Sequence, residues 1–528
     1  MADTPTRTPL RVSRSAMVAS GNAIASLVGV EILRAGGHAI DAAVAIGAAM
    51  VVLEPERSHL GGDVFLQYWD AGARRAYALN GSGAAPSGAT LEAMGETIPI
   101  HGIRAAAIPG AVDGWFTAQD NWGVMTASEV LAPAIALAED GYAVPARQAA
   151  LMETYKRLWE TYPESAAALV PQNPRRGATL YQPLLANTLR EIAKGGRAAF
   201  YQGDFAKKLV SYSNMNGGFF SLADLKNHRC EISDPIKTTY RDIVVTEQPP
   251  VSQGHLLLQM LNILEGFDMG ALDPEGAEAV HLMAEAKKLA FADRLAYMGD
   301  TPDTPIEVLL SKAHAERQRR RINPKAAAAR FSAGRLGDPA NYGTDTTSFC
   351  VMDEHGNAVT MIQSVFHQYG CGVVIPGTGV LMNNRMTGFS LEPSHPNVLA
   401  PGKRPMHTLN TYMLLKDNDL WGIGGTPGGD IQVQTNLQVV SQIIDHGRDP
   451  QEAIESPKWR GADDGPGLMV EPSLPLDACY SLRKLGHELA VGAPWSGACA
   501  SQVILKDLEN DVLLGGSDPR VEGLALGY

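Results

Sequence analysis

The residues with the clearest chemical potential lie at 342–349, YGTDTTSF, where Asp345 meets two threonines just ahead of CVMDEHGNAV. A threonine hydroxyl is a weak nucleophile unless a base sits beside it. Were the chain cut before Thr346, the new α-amino group would be that base, with an ordinary pKa of about 7.7–8.0. Before the cut, the same hydroxyl can attack the Asp345 carbonyl, and an N-to-O shift gives an ester that water opens. One residue would then serve both maturation and turnover. Taken alone, the stretch is an ordinary strand start, since threonine is β-branched and Gly343 and Asp345 are common turn residues. Acyl chemistry also needs donors aimed at the developing oxyanion. GGTPGGD at 424–430 offers Gly428 and Gly429, whose N–H groups can approach where a Cβ would obstruct. Taken alone, PGG is a tight turn.

Other chemistries find no support in the sequence. There is no GxxxxGK[ST], no GxGxxG opening a helix after a strand, no HExxH and no GxSxG. The 13 histidines show no metal-ligand spacing, and His367, His395 and His407 read as structural or pocket-lining. The five cysteines are odd in number, scattered and without CxxC spacing, which disfavours a disulfide framework and a zinc site. No metal or organic cofactor is expected. A net charge of −13 argues against nucleic acid. The basic run ERQRRRINPK at 316–325 reads as a solvated helix end. The N-terminus lacks a continuous apolar h-region, and AIDAAVAIGAAMVVL is too short to span a bilayer and contains Asp41. The expectation is a cytoplasmic protein with no membrane association.

The elements that would position Thr346 are legible in outline. Residues 22–53 read as two packed helices, the first closed by Gly36-Gly37 and the second apolar all round and therefore buried. SHLGGDVFLQYWD reads as a Gly-rich turn into a strand, RRAYALNGSGAAPS as another strand and a loop, and YRDIVVTEQPP as a short strand. From about 126 to 320 helical spacing dominates, with Ser128 as an N-cap and Ser221 with Asp224 as a capping box. Residues 331–345, without periodicity, read as a linker or mobile loop. After Thr346 the texture turns to strands, with DEHGN as a hairpin connection. Helices and a strand first, then many antiparallel strands with helices between them, predict an α+β layered fold.

Several motifs carry a resemblance. TDTTSFCVMDEHGNAV, GTGVLMNNRMTGFS, PGKRPMHTLN, GGTPGGD and GGSDPRVEGLALGY resemble, in order, the small subunit of the γ-glutamyltranspeptidase family. MVASGNAIASLVGVEILRAGGHAIDAAVA, LGGDVF, AFYQGDFAKKL and YRDIVVTEQPPVSQGHLLLQMLNILEGFD resemble its large subunit. The resemblance covers almost the whole chain. It implies an N-terminal-nucleophile hydrolase with a four-layer αββα sandwich, cleaved between Asp345 and Thr346 into residues 1–345 and 346–528. It implies Thr346 as nucleophile, Ser364 as the residue that hydrogen-bonds it, and Gly428 with Gly429 as the oxyanion pair.

The departures from the family pattern concern specificity. Thr387 and Gly388 stand where the family places acids for the glutamate α-amino group. Leu91 replaces an arginine that grips the α-carboxylate, His407-Thr408 replaces a Ser-Ser pair, and Phe366 replaces an asparagine. An ammonium buried without an anionic partner costs several kcal/mol or more. The pattern is similar to the acylase-like and oxamate amidohydrolase-like branch. Arg385, His407 and Arg104 are candidates for a substrate carboxylate, with Thr408 and Phe366 beside them. The expected activity is hydrolysis of an amide of a small carboxylate-bearing substrate, oxamate-like or a dicarboxylic acyl amide. Two rivals stay open: a genuine γ-glutamyl hydrolase or transpeptidase acting on glutathione-like peptides, and a non-catalytic binding protein of the same fold. Compact enzymes of this size often form symmetric dimers, so a homodimer of the processed pair stays open as well.

Overall fold

The structure is a computed structural model and describes residues 7–331, 345–462, 465–495 and 499–528. Two seven-stranded sheets lie face to face. The first runs in the order Arg11–Ser13, Val512–Ser517, Gln502–Asp507, Asp419–Gly425, Thr411–Lys416, Ile243–Glu247, Ile236–Tyr240. The second runs Leu524–Gly527, Met17–Ser20, Asp345–Met352, Ala358–Phe366, Asp63–Asp70, Arg75–Gly81, Glu231–Ser233.

Three apolar cores separate four layers. Between the sheets, Met17, Trp69, Cys350 and Met352 meet Met413, Ile423 and Ile504. Outside the second sheet, Val44, Ile46, Trp115, Leu131 and Leu189 from helices cover Val64, Leu66, Phe349 and Val359. Outside the first sheet, Leu257, Leu261, Leu289 and Leu437 cover Val245, Leu414 and Val503. Each fully buried Val, Leu or Ile contributes roughly 1.5–3 kcal/mol relative to exposure. This is the αββα sandwich, with both inner layers antiparallel.

The helix Ala39–Leu53 is buried at all its positions, as its apolar circumference predicts. Its small residues let it lie against the strands, and Gly47 accepts a hydrogen bond at its carbonyl from Gln363 Nε2 at 2.7 Å. The buried Asp41 starts that helix by accepting from the backbone N–H groups of His38, Val124 and Met125. The DEHGN hairpin joins Asp345–Met352 to Ala358–Phe366 as expected, and Ser221 with Asp224 forms the expected capping box.

Several expectations need correction. The first part of the chain supplies strands to both sheets, among them the expected Asp63–Asp70, Arg75–Gly81 and Ile243–Glu247, and also short strands that the sequence did not announce. Strands such as Arg11–Ser13 and Glu231–Ser233 have three residues each, too few to display alternation. The N-cap near Ser128 is Thr126, which forms a capping box with Glu129. The basic run is only partly solvated, because Arg319 donates to the carbonyls of Ile263 and Asn262. Of the segment read as a linker, residues 332–344 lie outside the described residues.

Candidate active site

Thr346 sits near the start of the strand Asp345–Met352 and is buried. The register on the neighbouring strand pairs Asp345 with Phe366 and Thr347 with Gln363, so the ladder shifts at Thr346. Such a bulge re-aims a side chain and unpairs the local backbone. Ser364 lies on that neighbouring strand, paired on its other side with Asp63. Its Oγ accepts the Phe366 N–H at 2.7 Å.

Gly428 and Gly429 form a turn with φ of 128° and 61°, a region that favours glycine. Helix Ile431–His446 follows at once, with the Ile431 and Gln432 N–H groups donating back to the Gly428 and Gly429 carbonyls. The first turn of that helix meets Thr346: Gln432 Nε2 lies 3.4 Å from Thr346 Oγ1. A helix N-terminus favours negative charge, so the turn suits a developing oxyanion. Beneath the turn, the buried Arg294 pairs with Asp430 and donates to Gln253, whose own amide donates to the Gly429 carbonyl at 3.1 Å.

A second group of polar residues is buried beside Phe366. Arg385 Nε donates to Asp63 Oδ2 at 3.0 Å, and His407 Nε2 approaches the same oxygen at 3.4 Å. All three side chains are fully buried. Burial alone would raise the Asp63 carboxyl, but the approach of His407 and the Arg385 charge outweigh this and leave it below its ordinary value. Burial, then the Arg385 charge, push His407 down to about 4 despite Asp63, so it is neutral at pH 7. Arg385 is therefore the standing counter-charge. Burial lowers its guanidinium to about 10 against the pull of Asp63, so it stays charged. Its Nη1 and Nη2 have no protein hydrogen-bond partner among the described residues. The guanidinium lies 4.2 Å over the Phe366 ring. Phe366 has φ of 84°, a conformation that costs a non-glycine residue roughly 1–3 kcal/mol.

The sequence-predicted residues divide accordingly. Thr346, Ser364, Gly428 and Gly429 come from the strands and turn just described, and Phe366, Arg385 and His407 adjoin them. Thr408 is buried in the backbone of this cluster, its carbonyl accepting from Gln253 Nε2 and Asn410 Nδ2. Arg104 lies beside the site, since its turn packs on the turn Arg385–Gly388. Its guanidinium, however, donates to the Ala93 and Met94 carbonyls and stacks over Phe219. It also lines an open cleft of about 420 Å³ with Glu96, His101 and Tyr162. Leu91 packs in an apolar cluster with Met386 and Phe389. Thr387 Oγ1 donates to the Asn384 carbonyl.

Sequence reading passed over Asp63, Gln432 and Asn410. A signal was present for Gln432: the amides Gln432, Gln434, Asn436 and Gln438 recur at every second position of a run that is buried throughout. The histidines also gather where spacing gave no sign, in Asp113–His228–Cys230 and His281–Glu285–His487. Arg197 already pairs with Asp113 and Lys288 with Glu285. His281 and His487 hydrogen-bond each other at 2.8 Å.

Gly62 gives this geometry a direct test. A Cβ there would lie 2.3 Å from the Ser364 carbonyl oxygen, a backbone atom that cannot swing away. Gly62→Ala should push the Ser364 strand end off Thr346. It should cost about 1–3 kcal/mol in stability, read as a lower Tm, and should slow the chemistry more than that loss explains.

The profile of the family described as Gamma-glutamyltranspeptidase matches residues 25–528. The chain belongs to the gamma-glutamyltranspeptidase family. It is 35% identical over 525 residues to the Glutathione hydrolase-like YwrD proenzyme of Bacillus subtilis (strain 168), covering 97% of this chain and 98% of that one. It is 35% identical over 533 residues to the Oxamate amidohydrolase proenzyme of Klebsiella pneumoniae, covering 98% and 99%. Among solved structures, cephalosporin acylase from Bacillus halodurans superposes with a TM-score of 0.92 at 34% identity, covering 100% of this chain and 99% of that one. The chain is thus an amidohydrolase or acylase of this family, and its relatives are made as proenzymes. No helix among the described residues is long and apolar enough to cross a membrane.

Proposed function

We propose that the chain cleaves itself between Asp345 and Thr346 and then hydrolyses amides of small carboxylate-bearing acids through an acyl-enzyme on Thr346. In maturation the Thr346 Oγ attacks the Asp345 carbonyl carbon. The C–N bond breaks, an ester forms, and water opens it to leave an Asp345 carboxylate and a Thr346 α-amine. In turnover that amine takes the hydroxyl proton as Oγ attacks the substrate carbonyl. The oxyanion is held by the Gly428 and Gly429 N–H groups. The leaving amine takes the proton, and water then releases the acid. Ser364 holds the nucleophile in place. The products of cleavage are residues 1–345 and 346–528.

The observation that carries the substrate assignment is the buried Arg385 fork, charged, with two nitrogens lacking a protein partner and lying over Phe366. Phe366 pairs across the ladder with Asp345, so the fork lies beside the scissile position. A guanidinium fork matches a carboxylate bidentately. Asp63 is already paired with Arg385, and the positions of Thr387, Gly388 and Leu91 offer no carboxylate for an α-ammonium and no second guanidinium. This supports oxamate-like acids first, glutaryl-type amides second and γ-glutamyl compounds third, and it leaves the non-catalytic rival without a reason for the fork.

Ammonia or amine release from oxamate, a glutaryl amide, a γ-glutamyl amide and an uncharged acyl amide tests this. A carboxylate-bearing substrate should lead the uncharged one by about tenfold or more in kcat/KM. The rate should rise through about pH 7–8 as the α-amine loses its proton. Preferred turnover of the γ-glutamyl amide would overturn the assignment.

A further inference from the structure

We propose that Gln432 is a catalytic residue that holds the Thr346 oxygen, at the end of a one-way chain of buried amides running from Asn436 through Asn410. The proposal rests on Thr346 as the nucleophile. Asn436 Nδ2 donates to Asn410 Oδ1 at 2.9 Å, and Asn410 Nδ2 donates to Gln432 Oε1 at 3.0 Å. Gln432 Nε2 then faces Thr346 Oγ1 at 3.4 Å. All four side chains are buried.

Two backbone groups fix the direction. The Asn410 N–H can only donate, and it also reaches Gln432 Oε1, at 3.3 Å. That end of Gln432 is therefore the carbonyl, and the end facing Thr346 is the NH2. The Thr408 carbonyl can only accept, and it takes Asn410 Nδ2 at 2.9 Å. Asn410 Oδ1 is thereby left for Asn436. Neither amide can flip without setting like against like.

The consequence is chemical. Facing an N–H donor, the Thr346 oxygen can only accept there, so its own proton points elsewhere, toward the base. A donor on the oxygen also favours the alkoxide character that grows as the proton leaves, because hydrogen bonds to charged groups are stronger. At 3.4 Å the contact is long, as hydrogen bonds in unliganded sites often are before they tighten in the reacting complex. Gln432 lies in the first turn after Gly428 and Gly429, so the nucleophile's donor and the oxyanion turn ride on one rigid helix. Asn410 and Asn436 act through Gln432 and are positioning residues.

The test uses full-length Gln432→Met, Gln432→Glu and Asn436→Met, with Thr346→Ala in parallel. Self-cleavage is followed by denaturing gel, and kcat and KM are followed against pH for the substrate that leads the panel above. Gln432→Met should lower kcat about tenfold or more with little change in KM and slow self-cleavage alongside. Asn436→Met should give the same split at smaller size. Gln432→Glu should be nearly inert when ionised, since a carboxylate has no proton to give Thr346, and should recover as the buried carboxyl protonates, moving the pH optimum acidward. A purely structural role would not move that optimum. Gln432→Glu with the wild-type pH profile, or Gln432→Met with the wild-type kcat, overturns the chain if Thr346→Ala is inert. A Thr346→Ala chain that still cleaves itself would instead defeat the nucleophile assignment.

Discussion

Thr346→Ala should remain one chain of 528 residues and lose at least about a thousandfold in amide turnover, the scale on which losing a nucleophile is felt. In the proposed reaction the same hydroxyl is required twice, first to open the Asp345–Thr346 bond and then to carry the acyl group. Folding should survive. The substitution removes one methyl, one hydroxyl and the contact with Gln432, an expected cost of about 1–2 kcal/mol, within the reach of a sandwich with three apolar cores. Thr346→Ser should restore cleavage and most of the turnover, because it keeps the oxygen opposite the bulge. An alanine variant that matures and turns over amides would refute the assignment.

The second large effect is at Arg385. Arg385→Lys keeps a positive charge for Asp63 but loses the fork. It should raise KM for a carboxylate-bearing substrate about tenfold to a hundredfold, the value of one charged hydrogen bond, while self-cleavage proceeds. Arg385→Met is a different experiment. It strands Asp63 in a site with no exposure, and breaking a buried pair costs about 3–5 kcal/mol, so it should accumulate poorly. Combining it with Asp63→Asn removes the stranded charge and should recover the fold without the preference for carboxylates. Equal KM values for wild type and Arg385→Lys would place the carboxylate elsewhere.

The parts of this molecule legible in the sequence were those encoded over short distances. The Ala39–Leu53 helix, the DEHGN hairpin and the Ser221 capping box each follow from residues within a few positions of one another. Thr346, Gly428 and Gly429 are candidates because their types serve one chemistry, whereas Ser364 enters only through the resemblance. Less legible were the short strands of the first part. Met17–Ser20, for example, is buried on both faces and so shows no alternation. Arg385 illustrates the main obstacle: its counter-ion Asp63 is 322 residues away, and only the fold reveals that one nitrogen is occupied and two are not. Gln432 follows Gly429 at the third position in the sequence, yet its orientation depends on the Asn410 backbone N–H, which comes from a separate segment.

The most direct measurement is N-terminal sequencing and intact mass of the freshly purified wild-type protein alongside its amide-hydrolysing activity. Two polypeptides, residues 1–345 and 346–528, the second opening on Thr346, are expected to accompany activity. One unbroken polypeptide with full activity would contradict the account.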